Sequence, residues 1–202
     1  MATEIPRKQQ IEDAASTLFR ERGYAATSVR DIAHVLNLQG GSLYAHVASK
    51  EDMLWGIVVR AADRFNAEVG PLAASQEPAS VKLKDMIRAH VGVVTSTQKD
   101  AAVFLHEWRF LSDERRLKIA ARRDDYERLF RRVIADGVAN GDFINVEPRL
   151  TATALLSALN GIATWYRPDG ELSADDIADQ HASLFLDGLA NPDPNFMMRT
   201  FS

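Results

Sequence analysis

Apolar residues recur along this chain at helical intervals. Ile11, Ala14, Ala15, Leu18 and Phe19 share one helical face and predict a first helix from about Pro6 to Arg22. Pro6 suits a first turn, and Gly23 suits the residue just past a helix end. Val29, Ile32, Ala33 and Leu36 form a second stripe in "SVRDIAHVL". Thr27 or Ser28 caps it, and Asp31 sits favourably in its first turn. Asn37 tolerates the left-handed backbone of a tight turn, and a short third helix follows from about Gln39 to His46. Ser49 caps a long fourth helix that opens on Glu51 and Asp52. "GPLAASQEPAS", residues 70–80, reads as a loop. Further helices are predicted from Val81 to Thr97, from Asp100 to Leu111, and from Ser112 to near Gly141. An eighth runs from Pro148 to the turn "RPDG", and a ninth, capped by Ser173, from Asp176 to Leu189. No alternating β-branched run interrupts the series. The fold class is all-α: three short helices, then six longer ones, then a tail from residue 191.

Two short helices joined by about three residues, the second entered through a left-handed turn, describe a helix-turn-helix. Packing Val29, Ile32, Ala33 and Leu36 against Leu38, Leu43 and the first helix leaves Gln39, Gly40, Ser42, Tyr44 and His46 facing outward. Such a face reads a DNA groove, or it is the surface of a small three-helix core with Tyr44 as a core aromatic. Spacing alone leaves both open. Charge does not decide between them. The net charge is −4, and residues 1–50 hold six Lys/Arg against five Asp/Glu. DNA binding must therefore rest on local geometry rather than on bulk charge.

The stretch "AASTLFRERGYAATSVRDIAHVLNLQGGSLYAHVASKEDML" resembles the N-terminal domain of TetR-family transcriptional regulators. Ile11, Ala14–Ala15, Leu18–Phe19, Gly23-Tyr24, Thr27, Ile32–Ala33, Gly41-Ser42-Leu43-Tyr44, His46 and Lys50-Glu51 carry the likeness. It spans about residues 7 to 55 without gaps. Asn37 stands where the family usually has glycine, and Val47 where an aromatic usually follows the histidine. The resemblance implies a nine-helix architecture with a helix-turn-helix DNA-binding domain at 1–50. A ligand-binding and dimerisation domain at 51–190 and a tail at 191–202 complete it. Tyr44, His46 and Lys50 resemble the family's phosphate contacts. Thr27 and Ser28 lie at a helix N-terminus suited to a phosphate oxygen, and Arg30 would reach the backbone or a base edge. Gln39 is the expected base reader, since its amide can bond adenine in bidentate fashion. Gly40 would let the backbone approach the duplex closely.

For the remainder, the resemblance implies a dimer interface on the eighth and ninth helices. Leu155, Leu159 and Ile162 face it from one helix; Ile177, His181, Leu184 and Phe185 face it from the other. Small residues (Ala154, Ala158, Gly161) would allow close approach. Two aromatic-plus-arginine groups stand out: Phe104, Trp108 and Arg109, and then Trp165, Tyr166 and Arg167. They could line one cavity, with apolar walls for a hydrocarbon and arginines for carboxylate or phosphate oxygens. Equally, Trp108 and Trp165 are ordinary core residues. These segments also resemble regulators that respond to acyl-CoA thioesters. The densely charged seventh helix reads as a solvated amphipathic surface with the i,i+4 pairs Asp124–Arg128 and Glu127–Arg131.

The implied partners are a double-stranded DNA operator, a second copy of the chain and a small-molecule effector. An activator, an effector-independent regulator and an acyl-thioester binding protein are the rival readings. No catalytic residues are expected. H-E-x-x-H, phosphate-loop and G-x-S-x-G motifs are absent, and the five histidines are scattered without ligand spacing. The chain has no cysteine, so thiolate metal sites are excluded, and neither metal nor cofactor is expected. The opening "MATEIPRKQQ" lacks the apolar core of a signal peptide, and the longest apolar run, Leu150 to Tyr166, is too short and too interrupted to span a bilayer. A cytoplasmic location is the expectation.

Overall fold

The computed structural model describes residues 6–38 and 40–190. Within them lie nine α-helices, a short 3-10 turn, and no strand beyond the isolated bridge of Phe143 with Ala190. The helices are α1 Arg7–Arg22, α2 Val29–Val35, α3 Gly40–Tyr44, α4 Lys50–Ala73, α5 Ala79–Ser96, α6 Gln98–His106, α7 Asp113–Asn140, α8 Pro148–Trp165 and α9 Ala174–Leu189. The 3-10 turn, Trp108–Phe110, follows α6.

Local chemistry sets most boundaries. Ser28 and Asp31 form a reciprocal capping box at α2, and Ser173 and Asp176 form another at α9. The Asp52 N–H donates to Ser49 Oγ at 3.0 Å at the start of α4. Gly23 ends α1 with φ +82°, a conformation that favours glycine, and Asn37 turns the chain after α2 with φ +53°. Two boundaries differ from expectation. α4 continues through Gly70 and Pro71 to Ala73, because Val69 is fully buried and proline's fixed φ is helical; only one ladder bond is lost near the end. α6 stops at His106 rather than near Leu111, and the chain tightens into the 3-10 turn. That winding buries Leu111 and leaves Phe110 exposed.

By packing, the chain forms two compact units. The first gathers the described chain up to Arg64 with Thr97–Arg123; the second gathers Phe65–Ser96 with the described chain from Asp124. This division by packing does not follow the expected division by role at residue 50, because α4 and α7 each contribute a length of helix to both units. In the first unit, α1 packs on α2 and α6, and α2 packs on α3. Its interior includes Ile11, Phe19, Ile32, Leu43, Leu54 and Ala101. In the second, α5 packs on α8 and α9. Leu83, Ile87 and Val91 of α5 are fully buried there. The expected tail, 191–202, lies outside the described residues.

One set of expectations is corrected by this packing. Leu155, Leu159, Ile162 and Ile177 are buried within the single chain, at 2% exposure or less. They belong to the chain's own core and have no surface left to offer a partner. The strongest apolar stripe of α8 turns inward, since its burial stabilises the fold of each chain. The opposite face of α8 carries exposed Leu150, Ala154, Ala158 and Trp165, with Gly161 half-buried. On α9, Leu184 is 71% exposed, while His181 and Phe185 are half-buried.

Candidate nucleic-acid interface

The first unit builds an outward polar rim on a buried apolar base. Ile32 and Ala33 of α2 and Leu43 of α3 lie inside, which turns Ser28, Arg30, Ser42, Tyr44 and His46 outward, all of them exposed. Tyr44 is 55% exposed and so is no core aromatic. The turn between the helices is closed by the Leu38 N–H donating to the Ala33 carbonyl at 2.9 Å. Gln39, the expected base reader, lies outside the described residues; Gly40 opens α3.

Thr27 needs correction as a phosphate contact. It is 1% exposed, and its hydroxyl donates inward to the Gly23 carbonyl at 2.9 Å and lies 3.3 Å from that of Leu18. The residue braces the loop before α2. Lys50 is half-buried and also works internally. Its ammonium donates to the carbonyls of Tyr24 at 2.7 Å and Thr27 at 2.8 Å, and lies 4.1 Å from the centroid of the Tyr24 ring. Partial burial holds its pKa below the ordinary lysine value. An ammonium has three N–H groups, so one remains for an outside acceptor.

The aromatic groups expected at an effector site lie in different units. In the first unit, Phe104 is buried and Trp108 half-buried, and the guanidinium over both rings is that of Arg123, at 5.1 and 5.3 Å. Arg109, the expected partner, is exposed instead, because the 3-10 turn rotates it off the α6 face. In the second unit, Trp165 ends α8 at 49% exposure; Tyr166 is half-buried and Arg167 exposed. The second unit also holds a buried polar pair that sequence reading missed. His90 is 1% exposed, and its Nδ1 lies 2.9 Å from the Tyr126 hydroxyl, among Phe65 and Phe130. Burial pushes its pKa down to about 3, so the ring is neutral.

Comparisons with known proteins bear on this geometry. Residues 11–55 match the model of bacterial regulatory proteins of the tetR family, and residues 76–189 match the tetracyclin repressor-like C-terminal domain. The chain belongs to the TetR family. It is a helix-turn-helix transcriptional repressor, not an enzyme. It is 31% identical over 188 residues to the transcriptional repressor KstR2 of Rhodococcus jostii, covering 92% of both chains. The structure of the ketosteroid transcriptional regulator KstR2 of Mycobacterium tuberculosis is similar at a TM-score of 0.88 and 26% identity, over 94% of this chain and 97% of that one. AibR, solved with isovaleryl coenzyme A and operator DNA, is similar at a TM-score of 0.81 and 28% identity, over 89% and 97% of the two chains.

In this TetR-family chain, the residues that tie the DNA-binding head to its unit were invisible in the sequence pattern. Arg60 of α4 binds Glu12 at 2.8 Å, Asp13 at 3.0 Å and Asp100 at 2.9 Å. Burial raises the Glu12 carboxyl above its ordinary value despite the nearby arginine. Gly56 makes room for that carboxylate: a Cβ there would stand 2.2 Å from Glu12 Oε1. Arg115 of α7 pairs with both Glu51 and Asp52 and lies over Trp55. Arg122 pairs with Asp63 at 2.6 Å. Within the charged α7, Arg128 pairs with Asp125 rather than with Asp124 as expected. The pairings of Arg60, Arg115 and Arg122 join residues dozens of positions apart, and local spacing carries no signal of them.

Proposed function

We propose that this repressor acts as a homodimer on a palindromic double-stranded DNA operator and is released by an acyl-CoA thioester. The observation that carries the DNA reading is the exposed rim of Ser28, Arg30, Ser42, Tyr44 and His46 around a short α3. These are hydrogen-bonding and cationic groups that suit phosphate oxygens, and Gln39 has the side chain to read a base edge. Lys50 contributes its remaining N–H. Thr27 supports the rim from inside. One short reading helix buries little surface, so specific affinity calls for two heads on two half-sites. The pairing surface is the outer face of α8, from Leu150 through Ala154, Ala158 and Gly161 to Trp165, with Leu184 of α9. Small side chains there permit two helices to approach closely, and a four-helix interface results. The protein works in the cytoplasm, where its operator is.

The effector class is supported by AibR, whose structure holds isovaleryl coenzyme A with operator DNA. In this chain the Arg123 guanidinium over Phe104 and Trp108 offers a cation beside apolar rings, which suits a thioester's mixed character. Release requires the effector to favour a conformation that fits DNA poorly; a ~100-fold preference corresponds to ~2.7 kcal/mol.

The test is duplex binding as a function of salt, using a palindrome selected from random sequence. Arg30→Ala with Tyr44→Ala should weaken binding by ~10-fold or more and flatten the salt dependence. Unchanged binding would remove this face from the reading. Isovaleryl, long-chain and aromatic acyl-CoAs should release the duplex where free coenzyme A does not. No response to any of them sinks the effector class and leaves the DNA reading in place.

A further inference from the structure

The second unit carries a cleft walled by arginines. Arg128 and Arg131 of α7 and Arg149 in the first turn of α8 surround a cavity of about 250 Å³, and Asp124 and Glu127 complete its wall. Spacing along α7 predicts that Glu127 takes Arg131, four positions on. The structure does otherwise. Arg128 pairs with Asp125, while Arg131 and Arg149 have no ion pair or hydrogen bond among the described residues. Arg131 is half-buried, so its charge is partly stripped of water with no bonded counter-charge to offset the loss. Arg149 is exposed and reaches the same cleft from another helix.

We propose that this cleft binds a small phosphate monoester, with Arg131 and Arg149 holding the phosphate. A guanidinium presents its N–H groups in a fixed fork that matches two phosphate oxygens. Two such forks from different helices can grip one phosphate from two sides, and Arg128 adds positive charge beside them. The carboxylates select what carries the phosphate. Asp124 and Glu127 repel further negative charge and accept hydrogen bonds from N–H or O–H groups. A polyanion such as a duplex is therefore disfavoured. A phosphate beside hydroxyl or amino groups is favoured, as in a sugar phosphate or a nucleoside monophosphate. The size agrees, since the cavity is smaller than the ~300–1,000 Å³ of sites for drug-sized ligands. All five lining residues belong to the second unit, and none belongs to the outward rim around α3 or to the rings beside Arg123. The proposal therefore stands apart from the operator and acyl-CoA readings.

The test is calorimetric titration of the full chain with AMP, ribose 5-phosphate and inorganic phosphate at fixed ionic strength, with sulfate, adenosine and ribose as controls. NMR of isotope-labelled arginine side chains reports which guanidinium groups respond. AMP or ribose 5-phosphate should bind with a Kd below ~1 mM, and at least ~10-fold more tightly than sulfate. Arg131→Gln and Arg149→Gln should each weaken that binding by ~10-fold. Helix content and melting should hold in both variants, because neither side chain has an internal partner to lose. Glu127→Gln removes a repulsive charge, so it should tighten inorganic phosphate and narrow the preference for ribose 5-phosphate over it. Equal binding of sulfate and the esters, or binding that survives Arg131→Gln combined with Arg149→Gln, is ionic attraction alone and overturns the proposal. So does the absence of saturable binding by any phosphate probe. If no probe binds and the double variant shifts sedimentation towards the monomer, the two arginines serve a second copy of the chain and the proposal falls. None of the probes carries an acyl thioester or a DNA sequence, so failure of acyl-CoA release or of operator binding leaves these results as they are.

Discussion

The two compact units are stabilised in different ways. The first, which carries the head, is crossed by polar contacts between helices far apart in sequence: Arg60 with three carboxylates, Arg115 with Glu51 and Asp52, Lys50 with two carbonyls, and Glu107 with Tyr24. The second is built on aliphatic burial of α5 against α8 and α9, with its polar interior at His90 and Tyr126. Its cross-helix ion pair, Arg88 with Asp179, is about half exposed. Apolar contacts are non-directional and tolerate small sliding, whereas charge-assisted hydrogen bonds hold an orientation. A unit that must aim a reading helix uses the second kind, and a unit that holds hydrocarbon surface together uses the first.

The contrast is broken most directly at Arg60. Arg60→Ala strips the nearly buried Glu12 of its guanidinium partner, and unfolding in urea should show a loss of about 4 kcal/mol. A loss under about 1 kcal/mol would place this junction with ordinary surface pairs. The matching cut in the second unit is apolar. Leu155→Ala should cost about 3 kcal/mol through a cavity under α5. Leu184→Asp, on the exposed face of α9, should instead leave each chain folded and shift sedimentation towards the monomer. If the two substitutions behave alike, the assignment of inner and outer faces is wrong.

Two glycines sharpen the comparison at smaller scale. A Cβ at Gly137 would stand 2.2 Å from the ring of Phe143, which is buried and lacks the freedom of a flexible side-chain end; Gly137→Ala should cost about 2 kcal/mol. At Gly56 the obstacle is the end of the Glu12 side chain, which can swing, and alanine gains helix propensity; the net loss should stay under about 1 kcal/mol. Equal costs, read from thermal unfolding, would mean that Glu12 is as immobile as the ring.

One further effect is absent at neutral pH and confined to acid. His90 has its pKa pushed from 6.5 down to about 3 in the folded chain, so between those values the unfolded chain binds one more proton. Its contribution leaves stability level above pH 6.5 and lowers it as pH falls through that window, by about 1.4 kcal/mol at pH 5.5. His90→Phe should remove this part of the acid slope. A slope that survives the substitution would mean that other groups carry it.

Much of this molecule is legible in its sequence because its helix boundaries are local. Ser28 with Asp31, Ser49, Ser173 with Asp176, Gly23 and Asn37 set starts and stops through neighbours a few residues away. The outward rim of Arg30, Ser42, Tyr44 and His46 followed from the same periodicity, since knowing which residues face in tells which face out. Local rules failed where tertiary burial outweighed them. Val69 held α4 helical past Gly70 and Pro71, and Leu111 drew the chain after α6 into a tighter turn.

The sequence by itself determined the family, the order of the helices and the polar character of the outward face around α3, all of which depend on spacing and on residue type. Only the tertiary structure decided how those helices are used. A stripe such as Leu155, Leu159 and Ile162 is equally suited to a protomer core or a partner, and the position of α5 settled it. Thr27 and Lys50 have the chemistry of phosphate contacts, yet carbonyls placed by the fold claim the Thr27 hydroxyl and two of the Lys50 N–H groups. Arg60, Asp100 and Glu107 look like surface charges until three helices converge on them. Hydrophobic periodicity is a property of one helix, whereas a junction is a property of several, and no local pattern encodes where they cross.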